Sequence, residues 1–149
     1  MPHSLASIKP KYVDLLLNGI KTVELRRRRI HLPPGCILWV YSTLPKGRIV
    51  AAASVARVYH GTPNMVWSRF KDRAGISRTE YNAYTKNAAL VTAIDLARIV
   101  PLQRPVPLSE MRLHNRSFHP PQSIVFIQGD DPVLAVLRTL LPDELRVPA

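Results

Sequence analysis

The eight residues Gly19-Ile20-Lys21-Thr22-Val23-Glu24-Leu25-Arg26 close one predicted helix and open one predicted strand. The leading glycine is typical of a helix C-terminus, because it adopts a left-handed backbone without steric cost. Polar and apolar residues then alternate, which in a strand predicts one polar face, carrying Thr22, Glu24 and Arg26. Lys21 stands at the start of this strand, where its long side chain can reach the same face. Two interpretations follow: a salt-bridged, solvated wall of the sheet, or one side of a ligand cleft.

The rest of the chain predicts a mixture of short strands and helices. Strands are expected at residues 4–8, 21–28, 36–41, 48–59, 89–100 and 123–128, and helices beginning at Pro10, Pro63, Arg78 and Pro132. Thr62, Ser77 and Asp131 precede three of these helices as N-caps. Residues 101–107 are rich in proline and predict a connector without secondary structure, followed by a single helical turn near Ser109. This pattern, with its short turns, indicates an α+β fold.

The opening stretch resembles a known family. Gly-x-Lys-x-x-Glu-x-Arg is the signature of the ASCH domain, a member of the PUA-like superfamily of small β-barrels, and all four fixed positions match. Residues 9–12 and 15–18 are similar to that family's opening strand and helix, and residues 120–123 to the closing segment of one bacterial branch. The resemblance implies one ASCH domain over residues 1–149. We therefore expect a small, mixed, mainly antiparallel PUA-like β-barrel of about six strands with three to four flanking helices.

The net charge of +11 is concentrated near this motif. Residues 1–50 hold nine Lys and Arg against two acids, residues 51–100 hold seven against three, and the remainder holds five against five. The run of four arginines at residues 26–29 contributes most to this gradient. A basic field around one motif favours a phosphate-bearing partner, so RNA or another nucleic acid is expected. The alternative is a basic protein whose arginines only cover a sheet edge.

Several other classes of function find no support in the sequence. The five histidines are scattered and a single cysteine, Cys36, lies in an apolar run, so neither a metal site nor a disulfide framework is expected. There is no Gly-x-Ser-x-Gly elbow and no glycine-rich phosphate loop, so we expect no cofactor. No apolar run is long enough to cross a bilayer and no signal segment opens the chain. A cytoplasmic location without membrane association is therefore expected.

Lys21 and Glu24 are the catalytic candidates. Lys21 can act as a base if burial lowers its pKa, or as an electrophile toward a phosphate or carbonyl. Glu24 can orient Lys21 or accept hydrogen bonds from a base edge, and Arg26 can hold Glu24 or a phosphate through two hydrogen bonds. Whether the protein is an enzyme stays open at this point; if it is one, we expect a hydrolase.

The resemblance implies two kinds of hydrolase. One ASCH subgroup removes acetyl from acetylated cytidine with a lysine, a threonine and a glutamate. Its lysine corresponds to Lys21, its threonine falls at Glu24, and its glutamate falls near Ala74, with Asp72 the nearest acid. Only Lys21 is therefore carried over. A second, bacterial subgroup of similar size and basicity cuts single-stranded RNA.

Binding candidates are basic, aromatic and small polar residues expected near the same cleft. Single-stranded RNA is held by stacking of bases on aromatic rings beside a basic rim, and at least one of Tyr81 and Tyr84 is expected to be exposed. The full set of candidates is Lys9, Tyr12, Lys21, Glu24, Arg26, Arg28, Ser42, Thr43, Tyr81, Tyr84, Gln122 and Ser123.

The leading hypothesis is an RNA-binding ASCH domain that recognises single-stranded RNA or a nucleotide in a basic cleft. The alternative is a ribonuclease, or an amidohydrolase acting on a modified nucleoside, that uses Lys21. A third class, an adaptor with a protein partner, is neither indicated nor excluded by the sequence, and oligomeric state is not indicated.

Overall fold

The computed structural model describes residues 1–146. In chain order the elements are β1 (His3–Ile8), α1 (Pro10–Leu17), β2 (Val23–Arg26), β3 (Ile37–Ser42), β4 (Arg48–Gly61), α2 (Pro63–Phe70), α3 (Arg78–Tyr84), β5 (Val91–Pro107), α4 (Leu108–His114), β6 (Ile124–Phe126) and α5 (Pro132–Thr139), followed by a 3₁₀ turn at Asp143–Leu145. The described chain thus has six strands and five α-helices, one helix more than the upper end of the predicted range.

The six strands form one mixed sheet in the order β2-β5-β4-β3-β1-β6. Strands β1 and β3 are parallel, and all other neighbouring pairs are antiparallel. The sheet curls into a half-barrel with β2 and β6 at its edges. The predicted α+β class, strand number and mainly antiparallel character are confirmed.

The curvature of the sheet originates in its two longest strands. β4 and β5 have 14 and 17 residues and pair along most of their length, with breaks in register at three points. A bulge adds a residue on one strand, which bends that strand and increases its twist. The small side chains of Ala51, Ala52 and Ala53 are fully buried at this bend. Close packing across the bend is therefore possible.

The prediction of a connector at residues 101–107 is wrong, because this segment continues β5. Pro101 pairs with Ala51 and Pro107 with Arg48. β2 pairs with β5 only opposite residues 92–95, so the distal half of β5 has a single neighbour, β4. A proline is tolerated in a strand that has one free edge, since its missing N–H can face that edge. The prolines therefore do not end the strand.

Helix starts and stops follow the predicted local signals. The side chains of Thr62, Ser77 and Asp131 accept hydrogen bonds from backbone N–H groups at the starts of α2, α3 and α5. Gly19 has φ +84° just after α1, as a left-handed residue at a helix end requires. The single helical turn predicted near Ser109 is longer in the structure, where it forms the seven-residue helix α4. Pro107 occupies the N-cap position of this helix. The last strand is shorter than expected, at Ile124–Phe126.

Helices cover the sheet over three clusters of buried side chains, one of which includes Val13 and Leu16 of α1. α4 and α5 pack over a cluster of buried side chains that includes Trp39 and Leu137. α2 and α3 cover a second cluster around Val23, Phe70 and Tyr81. No helix among residues 1–146 is both long and apolar enough to span a bilayer. The gap between α1, β2 and α3 holds the candidate site.

Candidate functional site

A pocket of about 1120 Å³ opens where the end of β1 and the start of α1 face β2 and α3. The end of β3 and the segment before β6 complete its walls. Its lining residues are Ser7, Ile8, Lys9, Lys11, Tyr12, Lys21, Glu24, Leu25, Arg26, Arg27, Tyr41, Thr43, Leu44, Ile76, Glu80, Ala83, Tyr84, Leu108, Pro120, Pro121 and Gln122. A volume of this size accommodates a nucleotide-sized ligand or larger.

The charged residues of the GxKxxExR motif form one wall of this pocket as an ion-paired row. Lys21 Nζ lies 3.5 Å from Glu24 Oε1, and Arg26 Nη2 donates to Glu24 Oε2 at 2.7 Å. The side chains are 3%, 8% and 14% exposed, in the order Lys21, Glu24, Arg26. Arg26 Nη2 also donates to the carbonyl of Ser7 at 3.0 Å, which ties β2 to the end of β1. The triplet is salt-bridged as the first interpretation expects, but it is buried rather than solvated, and it lines the pocket.

Lys21 is held in place from three sides. Its backbone N–H donates to the carbonyl of Leu15 at 3.0 Å, and its Nζ donates to the carbonyl of Ala74 at 2.8 Å. Burial lowers the pKa of Lys21, and the cation of Arg26 adds to this effect, whereas Glu24 opposes it. Nζ also lies 5.3 Å from the centre of the Tyr12 ring. Lys21 is thus a positioned, partly desolvated amine at the pocket wall.

Thr22 is separated from the predicted polar face. Its backbone N–H donates to the carbonyl of Arg73 at 2.9 Å, and its Oγ1 accepts from Arg73 Nε at 2.9 Å. Arg73 also forms an ion pair with Asp95 on β5. Thr22 precedes β2 and joins this strand to the segment between α2 and α3, so it does not line the pocket.

The start of α1 forms a second, more exposed wall, which is linked to α3 across the pocket. Lys11 Nζ lies 2.9 Å from Glu80 Oε2, and Tyr12 Oη donates to the same oxygen at 3.2 Å. These contacts lower the pKa of Glu80, chiefly through its hydrogen bond with Lys11. Lys9 is exposed at the same wall. Sequence placed Glu80 in a capping box but gave no sign that it would meet a residue 69 positions away.

Of the two predicted tyrosines of α3, only Tyr84 reaches the pocket. Its hydroxyl donates to the carbonyl of Leu25 at 3.2 Å, and the guanidinium of Arg27 lies 5.2 Å from the centre of its ring. Burial raises the pKa of Tyr84. Tyr81 is 1% exposed, its hydroxyl donates to the carbonyl of Pro63, and it does not line the pocket. The expectation that at least one of these tyrosines is exposed is wrong, because the Tyr81 ring fills the core beneath α2 and Tyr84 is half-buried.

Ser7 contributes an unusual group to the pocket wall. Its Oγ is buried, and it is the one buried side-chain nitrogen or oxygen atom among residues 1–146 that has no hydrogen-bond partner. A buried hydroxyl without a partner has lost its bonds to water without replacement. The periodicity of β1 could have predicted that Ser7 lies near the motif, but a serine at this position does not by itself indicate a functional residue.

Eight of the twelve predicted site residues line the pocket, and four do not. Arg28, Ser42, Tyr81 and Ser123 lie elsewhere. Ser42 is buried in β3, between β1 and β4, and is not part of the pocket lining. Arg28 is exposed beyond the end of β2, and its carbonyl accepts from Thr92. The missed residues with polar or charged side chains are Ser7, Lys11, Arg27, Tyr41 and Glu80.

The pocket offers cations and aromatic rings but few ways to bind a metal. Across residues 1–146 no group of three or more His, Cys, Asp or Glu side chains is close enough to hold a metal ion. Ala74, where a deacetylase-type glutamate would fall, presents its carbonyl to Lys21, and Asp72 does not line the pocket. Chemically, the site can bind an anion and stack a planar ring, and it holds one amine with a lowered pKa.

Comparison with known proteins places this arrangement in context. Residues 6–113 match a family model described as "Domain of unknown function (DUF365)". The ASCH domain-containing ribonuclease of Zymomonas mobilis is 30% identical over 130 residues, which are 87% of this chain and 86% of that protein. The crystal structure of ASCH from Zymomonas mobilis matches with a TM-score of 0.83 at 28% identity, over 91% of this chain and 94% of that one. The crystal structure of a tyrosine-to-phenylalanine mutant of ZmASCH from the same organism matches with a TM-score of 0.84 at 29% identity, over 93% of this chain and 97% of that one.

Proposed function

This chain belongs to the ASCH domain family, and from that premise we propose that it binds single-stranded RNA, or a nucleotide, in the pocket around Lys21, Glu24 and Arg26. The observation that carries the proposal is the position of this triplet. Two basic side chains and one carboxylate are buried together at a pocket wall, which gives the wall one net positive charge when Lys21 is protonated. The relative's name as a ribonuclease supports RNA as the ligand class.

Phosphate recognition is assigned to the basic residues of the pocket. Arg26 uses one amino group for Glu24 and for the carbonyl of Ser7, so its other N–H groups remain for a phosphate oxygen. Lys9 and Arg27 are exposed at the rim and add charge where a strand enters. Phosphate contacts of this kind give affinity without selecting a base sequence.

Base recognition is assigned to the tyrosines of the pocket. Tyr12 and Tyr84 stand on two different helices, α1 and α3, that face each other across the pocket. An unpaired base can stack on such a ring, whereas a paired base in a duplex cannot. Single-stranded rather than double-stranded RNA is therefore the proposed ligand.

The test is a titration of fluorescein-labelled single-stranded RNA followed by fluorescence anisotropy at two salt concentrations. The parent protein should bind, and the logarithm of its affinity should fall by about 0.7 per phosphate contact for each tenfold rise in salt concentration. Arg26→Gln should weaken binding about tenfold or more, because a charged contact is lost. Arg138→Gln is the matched control, because this substitution removes the same charge. Arg138 is exposed on α5 and lies outside the pocket.

Two results would contradict the proposal. One is parent protein that does not bind RNA, or binds it equally at low and moderate salt. The other is Arg26→Gln and Arg138→Gln variants with the same affinity, since binding would then follow total charge rather than this pocket. Circular dichroism of each variant establishes that the fold is retained.

Ribonuclease activity is the second candidate, favoured by the relative's name together with the state of Lys21. A lysine whose pKa is lowered by burial has a larger neutral fraction, which can accept a proton. In the proposed step, neutral Lys21 takes the proton of a ribose 2′-hydroxyl, and the 2′-oxygen bonds to the adjacent phosphorus. The bond from phosphorus to the 5′-oxygen breaks, and that oxygen takes a proton from Lys21 or water. Arg26 stabilises the negative charge on the phosphate oxygens.

Cleavage is tested with labelled RNA and the variants Lys21→Met and Arg138→Gln. Methionine keeps most of the volume of Lys21 but cannot accept a proton. Loss of cleavage by Lys21→Met with RNA binding retained supports a base, and the rate of the parent should rise with pH until Lys21 is deprotonated. Cleavage by Lys21→Met at the parent rate would show that the activity belongs to another site or a contaminant.

A further inference from the structure

Three exposed arginines outside the motif, one just after β2, one on α2 and one on α3, lie over half-buried aromatic rings. The guanidinium of Arg27 lies 5.2 Å from the centre of the Tyr84 ring, that of Arg78 lies 5.0 Å from Trp67, and that of Arg69 lies 4.8 Å from Tyr59. We call these six residues the arginine–aromatic band.

The band begins at the pocket and extends over two helices. Arg27 and Tyr84 line the pocket itself. Trp67 of α2 packs against Tyr81 of α3, with ring centres 4.9 Å apart, and Tyr84 lies one helical turn beyond Tyr81. At the far end, Tyr59 packs against Phe70 of α2 at 5.6 Å, and Arg69 lies over both of these rings. The three arginine pairs are therefore related by two ring contacts and by the spacing of one helical turn along α2 and α3.

Few acidic side chains lie near the arginine–aromatic band. Helices α2 and α3 carry a single acidic residue, Glu80, which pairs with Lys11 at the pocket. Between the helices Asp72 is exposed, while Lys71 next to it is also exposed. Asp95, the nearby acid on β5, is already paired with Arg57 and Arg73. The band thus has an uncompensated positive charge.

We propose that the arginine–aromatic band is a second segment of the RNA site, along which a single strand leaves the pocket. The proposal rests on the proposed function, because the pocket supplies the start of the path. An arginine held over a ring by a cation–π contact has a restricted guanidinium position, and its N–H groups can still bind phosphates. A basic track interleaved with aromatic rings is how proteins bind single strands without sequence preference.

The experiment compares oligouridylates of about four and about sixteen nucleotides, which span the site sizes known for single-strand binding folds. Anisotropy titrations use the parent protein, an Arg69→Gln/Arg78→Gln double variant and the control Arg138→Gln, each at two salt concentrations. Denaturing gels after each titration establish that the RNA is intact. Circular dichroism establishes that α2 and α3 retain their fold in the double variant.

The expected result is an effect that depends on RNA length. The parent should bind the long oligomer more tightly and with a steeper salt dependence than the short one. The double variant should lose about tenfold in affinity for the long oligomer, with its salt slope reduced by about 1.4, at about 0.7 for each of two phosphate contacts. The affinity of the double variant for the short oligomer should equal that of the parent. The Arg138→Gln variant should bind both oligomers with the affinity of the parent.

Intrinsic fluorescence gives a second measurement that does not depend on charge substitution. Trp39 is fully buried and Trp67 is half-buried in the band, so RNA bound against Arg78 and Trp67 changes the emission of Trp67 and not that of Trp39. The long oligomer should change the emission of the parent protein and not that of a Trp67→Phe variant, while the short oligomer should change neither.

Each other outcome has a defined meaning. If the parent binds both lengths with equal affinity, or if the double variant binds the long oligomer as tightly as the parent, the band does not bind RNA. Neither result contradicts RNA binding by the pocket. Equal losses for both lengths in the double variant also overturn the proposal for the band, since the effect is then not confined to the band. If the parent binds neither oligomer, the proposed function itself is wrong.

Discussion

Gly75 lies directly against the side chain of Lys21: a Cβ atom added to Gly75 would lie 2.9 Å from the Lys21 Cβ and 3.3 Å from its Cγ. Gly75 also has φ +62°, a conformation that side chains with a Cβ rarely adopt. The neighbouring carbonyl of Ala74 accepts the hydrogen bond from Lys21 Nζ. The position of the pocket lysine therefore depends on a glycine 54 residues away in the sequence.

Substituting Gly75 should consequently displace Lys21. We expect Gly75→Ala to destabilise the fold by about 2 kcal/mol, from left-handed strain plus the contact with Lys21, and to weaken RNA binding. Gly35→Ala is the matched control, because Gly35 has φ +85° with no atom within 4 Å of the added Cβ. Urea unfolding and anisotropy titration measure the two effects. Equal stability losses in both variants would show that the close approach to Lys21 is unimportant.

Removing the anion from the motif should leave two buried cations facing each other. Glu24→Gln should destabilise the protein by about 3 kcal/mol, the usual cost of breaking a buried ion pair by removing one partner. Glu80→Gln, which breaks the exposed pair with Lys11, should have little effect on stability since solvent screens that pair. Thermal unfolding at neutral pH distinguishes the two. Similar melting temperatures for both variants would mean that the Glu24 contacts are not needed for the fold.

Removing the Ser7 hydroxyl, which has no hydrogen-bond partner, should not lower the stability of the fold. Ser7→Ala should leave stability unchanged or slightly raised, because no hydrogen bond is lost. Ser4→Ala, on the same strand, should cost about 1 kcal/mol, since Ser4 Oγ donates to the carbonyl of Ile37 at 3.0 Å. Urea unfolding of the two variants measures this difference. A Ser7→Ala variant less stable than Ser4→Ala would show that Ser7 Oγ has a partner in solution.

His3 should make stability depend on pH. Its Nδ1 accepts a hydrogen bond from Trp39 Nε1 at 2.9 Å, and burial, then Arg138 and the N-terminal ammonium, lower its pKa. The folded protein therefore favours neutral His3, so its contribution is complete above the ordinary pKa of 6.5 and is lost as the pH falls below it.

Urea unfolding between pH 7 and pH 5 measures this loss. His3→Asn keeps an acceptor for Trp39 without the titration, so its stability should fall less over this range than that of the parent. The exposed His119→Asn variant should retain the dependence of the parent. Parallel curves for the parent and His3→Asn would assign the pH dependence to other groups.

Local structure and the identity of the motif could be predicted from the sequence. Caps at Thr62, Ser77 and Asp131 and the left-handed residue at Gly19 depend only on neighbouring backbone groups, which a short stretch contains in full. The alternation in Val23–Arg26 placed Glu24 and Arg26 on one face for the same reason. The GxKxxExR spacing identified the family, which the comparisons confirm.

Only the tertiary structure decided what surrounds these residues. Residues 101–107 form a strand because they pair with β4, and their prolines are tolerated because β2 does not pair with that part of β5; no local signal contains either fact. Tyr81 is buried and Tyr84 reaches the pocket because α2 covers one side of α3 and not the other. Burial of Lys21, its bond to Ala74 and the contact of Lys11 with Glu80 join segments more than 50 residues apart. Desolvation and long-range pairing arise from packing, and packing is fixed only when the whole chain has folded.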